Sequence, residues 1–302
     1  MAEVSFENRT VIVTGAGNGL GKAYALDLGS RGAKVVVNDL GGAVDGSGSG
    51  NTPADEVVNE IVANGGEAVA NYDSVATKDG GESIVQTAID NFGTVDAVIN
   101  NAGILRDKSF ANMSEEELSL IIDVHLKGTF FVTQSAFKVM KENSYGRIVN
   151  VASPSGLFGN FGQSNYGAAK MGIVGLTNVL AIEGAKYNIK VNVIAPTAYT
   201  RMTEALLPED VGKLFSAELV TPMVSYLASE ACEPSHEIFG VAAGRFARIG
   251  IITHKGYVNT SASAEDIADN IEEIRNIENG TYPLSNEDEL MIIQQAIQGN
   301  QE

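Results

Sequence analysis

The chain has 302 residues, 44% of them hydrophobic, and its 20 Lys+Arg against 38 Asp+Glu give a formal net charge of −18. That acid surplus excludes nucleic acid and anionic membrane surfaces as partners, since both need basic side chains, and the apolar content excludes global disorder. The lone Cys232 leaves no intrachain disulfide, which fits a reducing compartment.

Residues 1–10 lack the basic start and apolar run of a secretion signal, and no stretch approaches ~20 consecutive apolar residues. The final residues, Gly299 to Glu302, are not a peroxisomal address. A cytoplasmic protein is expected.

In chain order, the short apolar runs are Thr10–Thr14, Ala33–Asn38, Glu67–Tyr72, Asp96–Asn101, Arg147–Ala152 and Lys190–Ala195. Most carry consecutive Val or Ile, as strands covered on both faces do. Each pair is separated by enough chain for a crossover helix. The alternation predicts an α/β fold over residues 1–260, a three-layer, doubly wound parallel sheet of the Rossmann kind.

The first run, Val11 to Val13, leads through Thr14-Gly-Ala-Gly-Asn-Gly-Leu-Gly21 into a helical period at Lys22–Leu28. Glycines allow a tight turn and close approach of a pyrophosphate, which helix N–H groups then bind. The second run is followed at once by Asp39, 18 residues past Gly21. That is close to the ~20 expected for an acid bonding an adenosine ribose diol. A carboxylate there repels a 2′-phosphate, so NAD is favoured over NADP; the alternative is that Asp39 merely caps the following loop. A glycine-rich segment, Leu40–Pro53, follows and reads as flexible.

Ser153 ends the fifth run; Tyr166 comes thirteen residues later and Lys170 four beyond that. On the proline-free helical stretch Tyr166–Lys186, that spacing puts phenol and amine on one face. A neighbouring ammonium is expected to lower the phenol from its ordinary ~10 and make it a usable base.

The tail, 261–302, carries ten acidic residues against Arg275 alone, half of the total net charge. Ile267, Ile271 and Ile274 predict an amphipathic helix docking by one stripe, and Leu290, Ile293 and Ile297 a second. The tail is either a solvated helical extension packed on its own domain or a contact for a partner subunit.

Together, Thr14–Gly21, Asp39, Asn100-Asn-Ala-Gly103, Ser153 and Tyr166-Gly-Ala-Ala-Lys170 resemble the short-chain dehydrogenase/reductase family over about residues 6–245. Three stretches, Asn38–Gly42 with its insert, Asn101–Asp107 and Gly159–Tyr166, narrow the match. They resemble the (3R)-hydroxyacyl-CoA dehydrogenase region of peroxisomal multifunctional enzyme type 2 and its freestanding bacterial relatives. Ala181–Gly184 and Ile194–Pro196 add to it.

The resemblance implies Tyr166 as general base, Lys170 supporting it and holding the nicotinamide ribose, and Ser153 bonding the substrate oxygen. Gly15, Asn18, Gly19, Leu20 and Gly21 would cradle the pyrophosphate, with Asp39 on the ribose. Asp73 and Ser74 would lie by the adenine, Asn101, Ala102 and Gly103 along the cleft, and Pro196 and Thr197 beside the nicotinamide. His125 stands where many members have an asparagine that supports a proton relay; the multifunctional branch also has histidine there. It is either part of that relay or a buried structural residue. Thr197 replaces a frequent glycine.

Residues 197–225 fall where the family varies its substrate loop, and Met202, Leu206, Leu207, Leu214, Phe215 and Met223 make it apolar. Leu157, Phe158 and Phe161 either wall a pocket or belong to the core. Arg106, Lys108 and Arg201 are candidates for CoA phosphates.

The expected activity is NAD-dependent oxidation of (3R)-3-hydroxyacyl-CoA to 3-oxoacyl-CoA, without a metal. Alternatives are a hydroxysteroid or dual sterol and side-chain-CoA dehydrogenase, an acyl-carrier-protein reductase, or a non-catalytic NAD-binding regulator. A stand-alone homodimer, paired through helices around Ser114–Lys141 and Tyr166–Lys186, is expected.

Overall fold

The structure, a computed structural model, describes residues 4–204 and 212–299. The chain divides into two compact units, Met1–Arg248 and Ile249–Glu302. The division falls before the 260/261 boundary expected from the charge pattern.

In the first unit the strands are β1 Thr10–Thr14, β2 Lys34–Asn38, β3 Glu67–Asn71, β4 Ala97–Asn100, β5 Gly146–Val151, β6 Ile189–Thr197, β7 Ile238–Ala242 and β8 Arg245–Ile249. They form one sheet in the order β3-β2-β1-β4-β5-β6-β7-β8. Every registered pairing from β3 to β7 is parallel. The reversal between β1 and β4 is where a doubly wound sheet opens a crevice at its carboxyl edge. The last two strands were not among the predicted runs. Ile238-Phe-Gly-Val-Ala is broken by glycine, and β8, Arg-Phe-Ala-Arg-Ile, carries two arginines in five residues at the sheet's margin.

The helices between strands are α1 Gly19–Ser30, α2 Thr52–Ala63, α3 Lys78–Phe92, α4 Glu115–Ile121, α5 Gly128–Asn143, α6 Pro154–Phe158 and α7 Ser164–Gly184. Alternation along the strands feeds two separate cores. Val11, Val13, Val35 and Val37 pack with Leu28 of α1, Ile61 of α2 and Leu227 of the helix Thr221–Ala228. Ile12, Val36, Val98 and Ile148 pack instead with Ile84 of α3 and with Val132 and Met140 of α5. Fully burying each such side chain stabilises the fold by ~1.5–3 kcal/mol.

The α4 start is fixed locally. Ser114 Oγ accepts the Glu117 N–H at 3.2 Å, and the Glu117 carboxylate accepts the Ser114 N–H at 2.9 Å. A π-helical stretch, Ile122–Lys127, joins α4 to α5, the kind of distortion that often marks a functional position.

In the second unit the expected single amphipathic helix is two short ones, Ala264–Asp269 and Ile271–Arg275. Asn270 breaks it, its side chain bonding the Asp266 carbonyl at 2.7 Å. Ile267 and Ile271 are exposed and Ile274 is half-buried, while Leu290, Ile293 and Ile297 of the helix Asn286–Gly299 are exposed. Among the described residues, no helix is long and apolar enough to cross a membrane.

Candidate active site

The carboxyl ends of β1 and β4 build one wall of the site. Gly15 has φ +62°, and a Cβ there would stand 2.7 Å from Ala102 Cα; one on Gly21 would stand 2.1 Å from the Gly15 carbonyl oxygen. The turn is therefore closed to side chains. Asn101 ties it to β4, donating from Nδ2 to the carbonyls of Thr14 at 3.1 Å and Gly15 at 3.0 Å. Asn18 is extended at the N-cap of α1 and makes no side-chain cap bond. Its side chain leaves the first N–H groups of α1 to an incoming anion.

Asp39 follows β2. Its carboxylate accepts the Gly17 N–H and the Gly41 N–H, each at 2.7 Å. It therefore does cap the loop, and each oxygen keeps a second lone pair for a hydroxyl donor. Asp73 accepts from Ser83 Oγ at 2.7 Å and Asn71 Nδ2 at 2.9 Å. A cavity of about 270 Å³ joins these groups. Gly15, Asn18, Gly19, Leu20, Asp39, Asp73, Ser74, Asn101, Ala102 and Gly103 all line it. Gly21 lies behind the turn, while Pro196 and Thr197 end β6 paired with Val241 and Ala242. The turn, the open helix start and the carboxylate after β2 fit a dinucleotide.

Ser153, Tyr166 and Lys170 meet at the end of β5. Ser153 caps α6, accepting the Ser155 N–H at 3.2 Å. Lys170 is 3% exposed; its Nζ donates to the Val151 carbonyl at 2.6 Å and lies 5.5 Å from the Tyr166 ring centre.

The electrostatics differ from expectation. Burial pushes the Tyr166 phenol up to about 12; the hydrogen bond with Ser153 opposes this rise, and Asp107 adds to it. Burial also brings the Lys170 amine down to about 7. Desolvation penalises both charged forms, and for the phenol burial outweighs the opposing hydrogen bond with Ser153.

His125, in the π-helical stretch, is buried and meets the Tyr166 ring edge-on, centroids 5.0 Å apart. Its Nε2 lies 2.8 Å from the Ile104 carbonyl oxygen, and Nδ1 has no partner among the described residues. Burial, reinforced by Lys170, holds it well below the usual imidazole value. It is neutral at physiological pH and braces both Tyr166 and the Ile104 backbone.

Asn165 was not among the predicted site residues. Buried beside Tyr166, it accepts the Tyr166 N–H at 2.7 Å and donates to the carbonyls of Arg106 at 3.0 Å and Glu117 at 3.1 Å. Only its place before the tyrosine could have marked it. Of the CoA-phosphate candidates, Arg106 donates to the Asp45 carbonyl, Arg201 lines the cavity, and Lys108 is exposed. Phe158 and Phe161 are 72% and 90% exposed and so are not core. Leu206 and Leu207 lie outside the described residues.

The profile of the family described as short chain dehydrogenase matches residues 9–210. The chain belongs to the short-chain dehydrogenase/reductase family. This dehydrogenase is 52% identical over 263 residues to a short-chain type dehydrogenase/reductase of Mycobacterium tuberculosis, covering 87% of this chain and 92% of that one. It is 50% identical over 284 residues to peroxisomal multifunctional enzyme type 2 of Mus musculus, covering 92% of this chain and 38% of that longer protein. The resemblance to that enzyme's dehydrogenase region thus holds, although the chain spans well under half of it. A 7α-hydroxysteroid dehydrogenase solved with NADH and 7-oxo glycochenodeoxycholic acid superposes with a TM-score of 0.73 at 26% identity, covering 81% of this chain and 98% of that one. The protein is an oxidoreductase.

Proposed function

We propose that this dehydrogenase oxidises (3R)-3-hydroxyacyl-CoA thioesters to 3-oxoacyl-CoA with NAD. The observation that carries the reading is the cluster of buried Ser153 and Lys170 with half-buried Tyr166 at the carboxyl edge of the sheet that also presents Asp39. When bound, the nicotinamide accepts the substrate's hydride. Ser153 would hold the alcohol oxygen, and Tyr166, as phenolate, would take its proton. Lys170 would retain its charge by donating to cofactor ribose hydroxyls as well as to Val151. Gly15, Gly19 and the α1 amides would hold the pyrophosphate, and Asp39 the adenosine ribose. The (3R) configuration and the thioester rest on the likeness to the multifunctional enzymes.

A hydroxysteroid alcohol is the second reading, favoured by the fold likeness to the 7α-hydroxysteroid enzyme. Turnover with NAD and NADP on a panel of CoA thioesters and steroid alcohols decides between them. Preference for NADP, or for steroids over every thioester, overturns the first reading. A homodimer is proposed through α5 and α7, which expose Phe130, Met171, Val179 and Ile182. Light scattering that shows a monomer at micromolar concentration would refute it.

A further inference from the structure

The glycine-rich segment between β2 and α2 has no part in the chemistry above. In the structure it is a self-bonded loop, not the flexible linker its composition suggests. The Gly50 N–H donates to the Leu40 carbonyl at 3.0 Å and closes its base. Ala43 N–H to Ser47 O at 2.8 Å and Gly46 N–H to Ala43 O at 3.0 Å shape its tip. The Asp45 carboxylate accepts from both the N–H and the Oγ of Ser47, at 2.9 and 2.6 Å.

This loop crosses the cleft and is fastened on the far side. The Leu105 N–H donates to the Val44 carbonyl at 2.9 Å, and Arg106 Nε donates to the Asp45 carbonyl at 2.6 Å. Gly46, at φ +83°, lies so flat on Ile104 that a Cβ would stand 2.9 Å from its Cδ1. Leu40, Ala43, Val44 and Gly46 thereby wall the cavity that also holds Asp39. Residues 43–46 thus bridge from the segment after β2 to the segment after β4, and opening this bridge widens the cavity around Asp39. The fastening point is itself anchored: Asn165 bonds the Arg106 carbonyl and accepts the Tyr166 N–H.

We propose that residues 40–50 are a strap latched over the dinucleotide cleft by Arg106, a positioning residue for the cofactor whose release limits how fast the dinucleotide leaves. This rests on the proposal that the site takes a nicotinamide dinucleotide. Losing a net ~1 kcal/mol hydrogen bond at the latch is a five- to tenfold effect on the closed population.

The test uses the full chain, Arg106→Met and Gly46→Ala. In the free proteins, amide hydrogen exchange over residues 42–47 and at Leu105 should be at least fivefold faster in both variants, with melting temperatures near wild type. Stopped-flow fluorescence should show NADH leaving both variants at least fivefold faster. Unaltered exchange in both overturns the latch. Faster exchange with NADH release within twofold of wild type overturns the gate alone. Failure of the wild-type protein to take up NADH at millimolar concentration removes the cofactor reading and the gate with it, an outcome distinct from both.

Discussion

Lys170 Nζ lies 5.5 Å from the centre of the Tyr166 ring, yet its bond is to the Val151 carbonyl, 2.6 Å away. The amine is thus directed to the backbone of β5 as well as placed beside the phenol. With Lys170 buried and Tyr166 half-buried, each charged form is poorly solvated until additional donors and acceptors arrive. The site is prepared for a bound partner to supply them.

Tyr166→Phe should lower turnover by about 10²–10⁴, the usual worth of a positioned proton-transfer group. NADH affinity by fluorescence titration should stay within severalfold. Wild-type-like turnover in this variant would remove the tyrosine from the chemistry.

Lys170→Met should separate stability from activity. A lysine lowered to about 7 in the folded protein, against 10.5 ordinarily, opposes folding fully below pH 7 and not at all above about 10.5. The wild type should therefore gain stability from this group as pH rises through that window, on the order of 5 kcal/mol as an upper bound. Tyr166, raised to about 12, contributes stability that is lost only above pH 10, so measurements from pH 6 to 9.5 are free of it. Urea melts should show the variant's advantage largest at pH 6 and shrinking towards pH 9.5, while turnover is lost. An advantage that grows with pH would contradict the burial argument.

Asp39→Asn removes the negative charge and one of two acceptors for the Gly17 and Gly41 amides. The KM for NAD should rise ~10–100-fold, given ~1.5–3 kcal/mol for hydrogen bonds to a charged group. Discrimination against NADP should fall at the same time. Steady-state kinetics with both cofactors check this, and an unchanged cofactor ratio would leave Asp39 as a loop cap alone.

Tyr24 sits wholly inside the α1 core, and its hydroxyl has no partner among the described residues. Tyr24→Phe relieves that buried polar group, so stability should stay equal or rise by up to ~1 kcal/mol. Tyr24→Ala should cost ~3–5 kcal/mol through the cavity it leaves. Chemical denaturation of both variants measures the difference.

The strands β1 to β6 were legible because their signal is local: Val11-Ile-Val and Val35-Val-Val are apolar on consecutive positions only when both faces are covered. The turn Thr14–Gly21 was legible for the same reason, each glycine answering to its own few neighbours. By contrast, β7 carries Gly240 in its middle and β8 lies at the sheet margin, so neither shows a run. The tail's isoleucines kept helical spacing, but Asn270 offered its side chain to the Asp266 carbonyl and ended the helix.

The amino-acid order alone set the alternation of strands and helices, the glycine turn, the carboxylate at the end of β2 and the one-turn spacing of Tyr166 and Lys170. Each depends on residues a few positions apart. Three-dimensional packing decided the rest: that burial raises the phenol and lowers the amine, that Asn165 grips Arg106 and Glu117, and that the glycine-rich loop is fastened shut. Solvation and long-range hydrogen bonds depend on which distant segments meet, and no local pattern carries that information.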